Sequence, residues 1–327
     1  MTDKLPTARN IGKYHSIRDL KINQEINSIP WIDIHQHTQS MTWNDRNAFD
    51  ISGCEATVMI AASYYWSPYR PVEASDVQFL WDDALRRAKR FDRSHYYNQH
   101  VAIGVHTWSR VDNIERLIAI LPEYCELDAV VAIGETGIDS SQHTIQWDIE
   151  KQKQVVKEHL KIGKATGLPV IIHTPGGKDS VQQKHTYYYE ELEEDFPNSH
   201  FDTKTAKLDA VKIDLDLIKQ VGIEEDRVLI DHADETIINT VLNKSDCYLG
   251  FSVGSPWFRQ VDAELVAKVI NKYGSDRIVV DTDMLGAMKY NPYTMKELIL
   301  DLGRLGISKK DIRRVVYENQ MQILNLN

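Results

Sequence analysis

The sequence predicts an α/β protein built as a single (β/α)8 TIM barrel, and three observations predict it. Eight short apolar, β-branched runs of three to six residues recur from Trp31 onward, the length of a strand buried on both faces. Longer amphipathic stretches separate them, the rhythm of parallel strands joined by right-handed crossovers. The 327 residues suit one barrel of this size. No GxGxxG follows the first run, which weakens the alternative of a doubly wound open sheet.

Residues 1–28 are polar and read as an N-terminal arm, with 29–327 as the barrel domain. The expected strands are Ile32–Ile34, Ala56–Ile60, Val101–Val105, Ala129–Ile133, Pro169–Ile172, Arg227–Ile230, Tyr248–Val253 and Arg277–Val280. The expected helices lie near Val77–Phe91, Val111–Pro122, Ile145–Gly167, Leu208–Val221, Glu235–Asn243, Ala263–Tyr273, Met295–Leu302 and Lys309–Leu324. Two connections stand out, Ser63 to Ala74 and Thr174 to Ala206. Long loops after barrel strands commonly carry function.

Composition narrows the function class. Hydrophobic residues at 42% and charged residues at 26% argue for a packed core and against disorder. The net charge of -10 repels a phosphate backbone, so general nucleic-acid binding is disfavoured. Cys54, Cys125 and Cys247 form no CxxC pair and read as small core residues of a reducing compartment. No run of 18 apolar residues exists, so no membrane span is expected. The opening segment lacks the apolar stretch of a signal peptide, and a cytoplasmic protein is expected.

The chemistry is concentrated at strand ends. The first strand runs into Asp33-Ile34-His35-Gln36-His37, and alternate residues of a strand share a face, so His35 and His37 can grip one ion. A lone HxH arises often by chance. Glu135 follows the fourth run, His173 the fifth, Asp231-His232 the sixth and Asp281-Thr282-Asp283 the eighth. Each alone reads as a hydrogen-bonded core residue or a solvated loop carboxylate. In a parallel barrel, however, all these ends converge on one face. Four histidines with two carboxylates suit zinc first, with manganese, iron, magnesium, cobalt or nickel as alternatives, and not a thiolate-bound structural zinc. Their dispersal along the chain is that of a catalytic site.

The segments WIDIHQH, VAIGVHTW, VAIGETGID, GLPVIIHT and IVVDTDML, with the C-terminal ENQMQIL, resemble the amidohydrolase superfamily of metal-dependent hydrolases, within its TatD-like branch. The resemblance runs in the family's order from about Trp31 to the C-terminus. It implies that His35 and His37 hold a first metal, and that Glu135 bridges to a second held by His173 and His232. Asp283, rather than Asp281, completes the first site and shuttles the proton. One or two ions are implied. Two segments depart from the TatD pattern. Pro175 stands where many TatD-like enzymes have Arg, and VLIDHADE is closer to phosphotriesterase-like relatives. These departures point away from DNA as substrate.

The expected reaction is hydrolysis of a small-molecule ester, lactone, amide or phosphoester by metal-activated water, with a TatD-like metal-dependent DNase as the alternative. His106 in GVHTW, with Tyr65, Arg70 and Lys178 in the two long connections, are candidate substrate contacts. Asp33 reads either as a partner behind a metal ligand or as a core hydrogen-bonding group. Aromatic loop residues are compatible with a homo-oligomer.

Overall fold

The computed structural model describes residues 23–37, 41–61, 71–91, 95–109, 111, 113–139, 147–175, 206–254, 261–285 and 291–326. Its strands are β1 (Trp31–His37), β2 (Cys54–Ile60), β3 (Asn98–Ile103), β4 (Val130–Thr136), β5 (Val170–Ile172), β6 (Val228–Ile230), β7 (Tyr248–Ser252) and β8 (Ile278–Asp281). Each pairs in parallel with its sequence neighbours. Closure comes from a two-residue strand, β9 (Met284–Leu285), that continues beyond β8 and lies parallel to β1, with Gln36 opposite Met284 and His37 opposite Leu285. The (β/α)8 barrel is therefore present, and its seam falls where β1 and the β8 end carry candidate ligands.

All eight expected strands appear within a few residues of their predicted bounds. Two apolar clusters explain why the runs are continuous rather than alternating. One joins Ile32, Ile34, Val58, Ala102, Ala132, Ile171, Leu229 and Val279 across all parts of the barrel and fills its interior. The larger joins the opposite strand faces, such as Ile103, Ile133, Val170 and Ile230, to the surrounding helices. A strand buried on both sides has no solvent face to mark. All three cysteines are buried and free.

The helices among the described residues are α1 (Gln24–Asn27), α2 (Trp43–Ser52), α3 (Ala74–Phe91), α4 (Ile114–Cys125), α5 (Ile149–Thr166), α6 (Ala206–Val221), α7 (Ile238–Lys244), α8 (Ala263–Tyr273), α9 (Thr294–Arg304), α10 (Lys309–Arg313) and α11 (Asn319–Leu324). Helix α2 is absent from the sequence reading because its apolar stripe is thin: it buries only Ala48, Phe49 and Ser52. What starts and stops it is local. Thr42 and Asp45 form a reciprocal capping box, and Gly53 ends it at φ 87°, a left-handed conformation that glycine adopts at little cost. The expected helix Lys309–Leu324 is interrupted by a π-helical stretch, Arg314–Glu318. There the Gln320 amide takes the Val315 carbonyl at 2.8 Å and the Val280 carbonyl at 3.1 Å, an insertion that distorts the normal ladder. Asn319 likewise donates to Ser275 and Ile278 carbonyls, tying the C-terminal helix to β8. No helix among the described residues is long and apolar enough to cross a membrane.

Polar side chains on the outer helices hold the strand ends that carry the site. The amide N–H of Val105 donates to His159 Nε2 at 2.9 Å, that of Asp139 to Gln152 Oε1 at 3.0 Å, and that of Ile138 to Asp214 Oδ1 at 3.1 Å. His159 must stay neutral to accept, with its Nδ1 proton given to the Val155 carbonyl at 2.8 Å. Burial pulls its pKa down to about 4. Between pH 6.5 and 4 the unfolded chain binds a proton here that the folded chain refuses, so stability falls as pH drops through that window. The full loss is about 3 kcal/mol. His159→Gln keeps one donor and one acceptor but cannot titrate. Its urea midpoint should therefore drop less than wild type between pH 7 and 4.5, and an equal drop would show that His159 does not titrate in this way.

Candidate metal centre

Parallel strands deliver their C-terminal ends to one mouth, and the ligand-type residues arrive there together. From β1 come His35 and His37, from β4 Glu135, and from the turns after β5, β6 and β8 come His173, His232 and Asp283. Glu135 is the hub. Its Oε1 lies 2.6 Å from His173 Nδ1 and 2.9 Å from His232 Nε2, and its Oε2 lies 3.5 Å from His35 Nε2. Asp283 Oδ1 lies 3.2 Å from His37 Nε2 and 3.6 Å from His35 Nε2. Two groups of donor atoms within 4.8 Å of one another result, His35–Glu135–His232 and His35–His37–Asp283. Both contain His35, so the two groups are contiguous.

The polar partners behind these residues decide which ring nitrogen faces the centre. His35 places Nδ1 2.7 Å from the Asp231 carboxylate, which keeps the proton there and turns the Nε2 lone pair inward. That Nε2 is buried without a hydrogen bond. His173 has Nε2 3.3 Å from Asp139, leaving Nδ1 for the centre. His232 sets Nδ1 on the Ser252 hydroxyl at 2.7 Å. A carboxylate or hydroxyl on the far nitrogen fixes tautomer and ring orientation, as it does behind metal-bound histidines. The chemistry of this donor set fits a divalent ion.

His106 is wired the other way. Its Nδ1 accepts the backbone N–H of Trp108 at 3.0 Å, so in the neutral ring the proton sits on Nε2. The ring is fully buried, 4.6 Å between centroids from His173, and burial followed by the His173 charge brings its pKa down to about 3. It belongs to a further donor group with Glu135 and His173, yet its tautomer makes Nε2 a donor rather than a ligand.

Electrostatics point the same way. Burial alone would lower His173, but the Glu135 charge and the Asp139 and Glu135 hydrogen bonds bring it up to about 10. Burial likewise opposes the charged form of His35, and Glu135 with Asp231 outweighs it, so its pKa stands well above the usual range. Burial would raise Glu135, and the His35 and His173 charges hold it well below the usual range. The cluster attracts positive charge strongly, whether as protons or as a metal ion.

Backbone strain is concentrated at the ligands. His232 has φ 57° and Asp283 φ 44°, left-handed values that cost a non-glycine residue about 1–3 kcal/mol each and tend to mark functional sites. Asp283 N–H donates to the His35 carbonyl at 3.0 Å, and the Thr174 hydroxyl to the Asp231 carbonyl at 2.6 Å. Room for Asp231 depends on Gly250: a Cβ there would stand 2.2 Å from Asp231 Oδ1.

The six sequence-predicted ligand candidates thus meet in one place. Asp281 sits on the other side of His35, grouped with Asp231, its carboxyl pushed well above the ordinary range by burial and the Asp231 charge. Asp33 acts as a core tie: its carboxylate accepts the Thr282 hydroxyl and N–H and the Gln36 amide, joining β1 to β8. Tyr65, Arg70 and Lys178 lie outside the described residues. The sequence reading gave no role to Asp139, Ser252 or the Asp231 bond to His35. The acidic ends of GETGID and VLID were the available signal for two of them.

A family model described as TatD related DNase matches residues 32–325. The chain belongs to the TatD family. An uncharacterized metal-dependent hydrolase of Methanocaldococcus jannaschii is 26% identical over 288 residues, 88% of this chain and 97% of that protein. The TatD-like protein of Archaeoglobus fulgidus superposes with a TM-score of 0.60 at 18% identity, over 90% of this chain and all of that one. The phosphotriesterase homology protein of Escherichia coli gives 0.57 at 13% identity, over 91% and 99% of the two chains. This TatD-family chain is a metal-dependent hydrolase.

Proposed function

We propose that this chain hydrolyses a small-molecule ester, lactone, amide or phosphoester with the help of two divalent ions. His35, His37 and Asp283 would hold one ion and His173 and His232 the other, with Glu135 between them. The observation that carries this is the inward convergence of four histidine nitrogens on Glu135 and Asp283. Zinc is the first candidate, ahead of manganese and iron. When bound, such ions supply Lewis acidity toward a carbonyl or phosphoryl oxygen and lower the pKa of water toward about 7. Asp283, at the rim and oriented by His37, accepts the proton from the attacking water and returns it to the leaving group. Glu135 keeps His173 and His232 in register, and Asp231, Asp139 and Ser252 keep the rings oriented.

The family model's description favours a second reading, a metal-dependent DNase. Against it stand the net charge of -10 and Pro175 in place of the Arg common in the branch. DNA binding by that reading falls steeply with salt.

Elemental analysis of protein purified without chelator tests the centre. Two equivalents per chain are expected. One equivalent would remove Glu135 from its bridging role, and none, with no uptake on titration, would overturn the metal-site reading. Hydrolysis of ester, lactone or phosphodiester substrates that a chelator abolishes would support the first reading. Activity confined to DNA ends, lost with rising salt, would replace it with the second.

A further inference from the structure

Behind His232 stands a buried cation that belongs to none of the ligand motifs. Lys207, in the first turn of α6, is 4% exposed. Its Nζ donates to the His232 carbonyl at 2.6 Å and pairs with Asp234 Oδ2 at 3.3 Å. The other Asp234 oxygen is taken by the Thr236 N–H at 2.8 Å, so the carboxylate cannot swing away without losing a bond. Thr174 also donates toward the His232 carbonyl, at 3.3 Å. An ammonium group this deeply buried persists only where it is paired and hydrogen-bonded, and both the His232 carbonyl and Asp234 lie on the turn that carries a candidate ligand.

The His232 carbonyl matters because of the backbone around it. His232 is left-handed at φ 57°, and that conformation aims its ring at Glu135 while Nδ1 meets Ser252. The peptide that follows is held from both sides, by Lys207 on its oxygen and by the Ala233 N–H to the Gly250 carbonyl at 2.8 Å. We propose that Lys207 is a positioning residue for the metal centre, holding the left-handed turn that presents His232 Nε2 to the ion shared with His173. The inference rests on the two-ion reading above.

Lys207→Met keeps the aliphatic stem and removes the ammonium. Zn²⁺ titration of the metal-free wild type and variant, followed by calorimetry, separates the outcomes. Wild type is expected to bind two equivalents, and the variant to bind the His173/His232 equivalent about 10–100-fold more weakly, the loss typical of a removed outer-shell partner. The His35/His37/Asp283 equivalent is expected to be unchanged. Lys207→Arg, which restores the charge with a different shape, should recover part of the affinity. Unchanged Zn²⁺ affinity in the variant, with only a lower thermal midpoint of the metal-free protein, would make Lys207 purely structural and overturn the inference. A wild type that takes up no Zn²⁺ would instead overturn the two-ion reading beneath it. If Lys207→Met does not fold, Asp234→Asn carries the same test, since it removes the ammonium's counter-charge and should weaken the same equivalent.

Discussion

Asp283→Asn is expected to fold, to bind metal ions at saturating concentration, and to lose about 10²–10⁴-fold in kcat. The range is that of a positioned proton acceptor. The amide is isosteric and keeps one oxygen that can face His37 and His35, so the donor group His35–His37–283 stays populated. What it cannot do is accept a proton from water near neutral pH. Asp283 is suited to the task in this chain. Burial would raise its carboxyl, but the His37 hydrogen bond and the His232 and His35 charges hold it below the ordinary value, so it is ionised and ready to accept. It also sits at the rim, its side chain 11% exposed against 2% for Glu135, the more accessible of the two carboxylates. Metal content read beside kcat divides the explanations. Retained metal with slow turnover assigns the proton shuttle to Asp283. Lost metal at saturating ion would reduce its role to ligation, and full activity would remove both roles.

Much of this site was legible in the sequence because a parallel barrel converts strand ends into neighbours. The residue that follows each apolar run is fixed by the chain, and the topology does the rest. His35 and Asp231 are 196 positions apart yet 2.7 Å apart in space, and nothing in a single sequence announces which acid lies behind which ring. Ring orientation was illegible for the same reason. His173 presents Nδ1 where His35 and His232 present Nε2, a choice made by Asp139, Asp231 and Ser252. Lys207 was illegible because a lysine at the start of an amphipathic helix reads as a solvated residue, and only tertiary packing buries it. Local signals failed elsewhere. The polar stretch WNDRNAFDIS hid α2, although Thr42 and Asp45 form the capping pair that starts it, and two residues, Met284 and Leu285, are too few to show a strand that closes the barrel.

Glu135→Gln is expected to cost more than any other single change at the centre. One oxygen of Glu135 serves both His173 and His232, and the other faces His35. The amide keeps an acceptor for one of these contacts and puts a donor N–H at the other, and the negative charge is gone. Both proposed ions depend on that charge, so stoichiometry should fall from two to at most one. Turnover should fall by about 10³-fold or more, since a divalent clamp that contributes several kcal/mol to the transition state is broken. A second readout needs no metal. In the metal-free protein the Glu135 charge is the largest influence raising His173 to about 10 against the pull of burial. Removing that charge should bring the His173 imidazole titration, followed by NMR, down toward the ordinary histidine range. The sign follows from burial, which favours the neutral ring once the carboxylate no longer offsets it. If His173 still titrates near 10 in the variant, Asp139 and not Glu135 holds its proton, and the hub of the centre lies in the segment that follows β4. If His173 moves and the ion count does not, Glu135 acts as an electrostatic neighbour and the two ions are held by the histidines and Asp283 without a bridge.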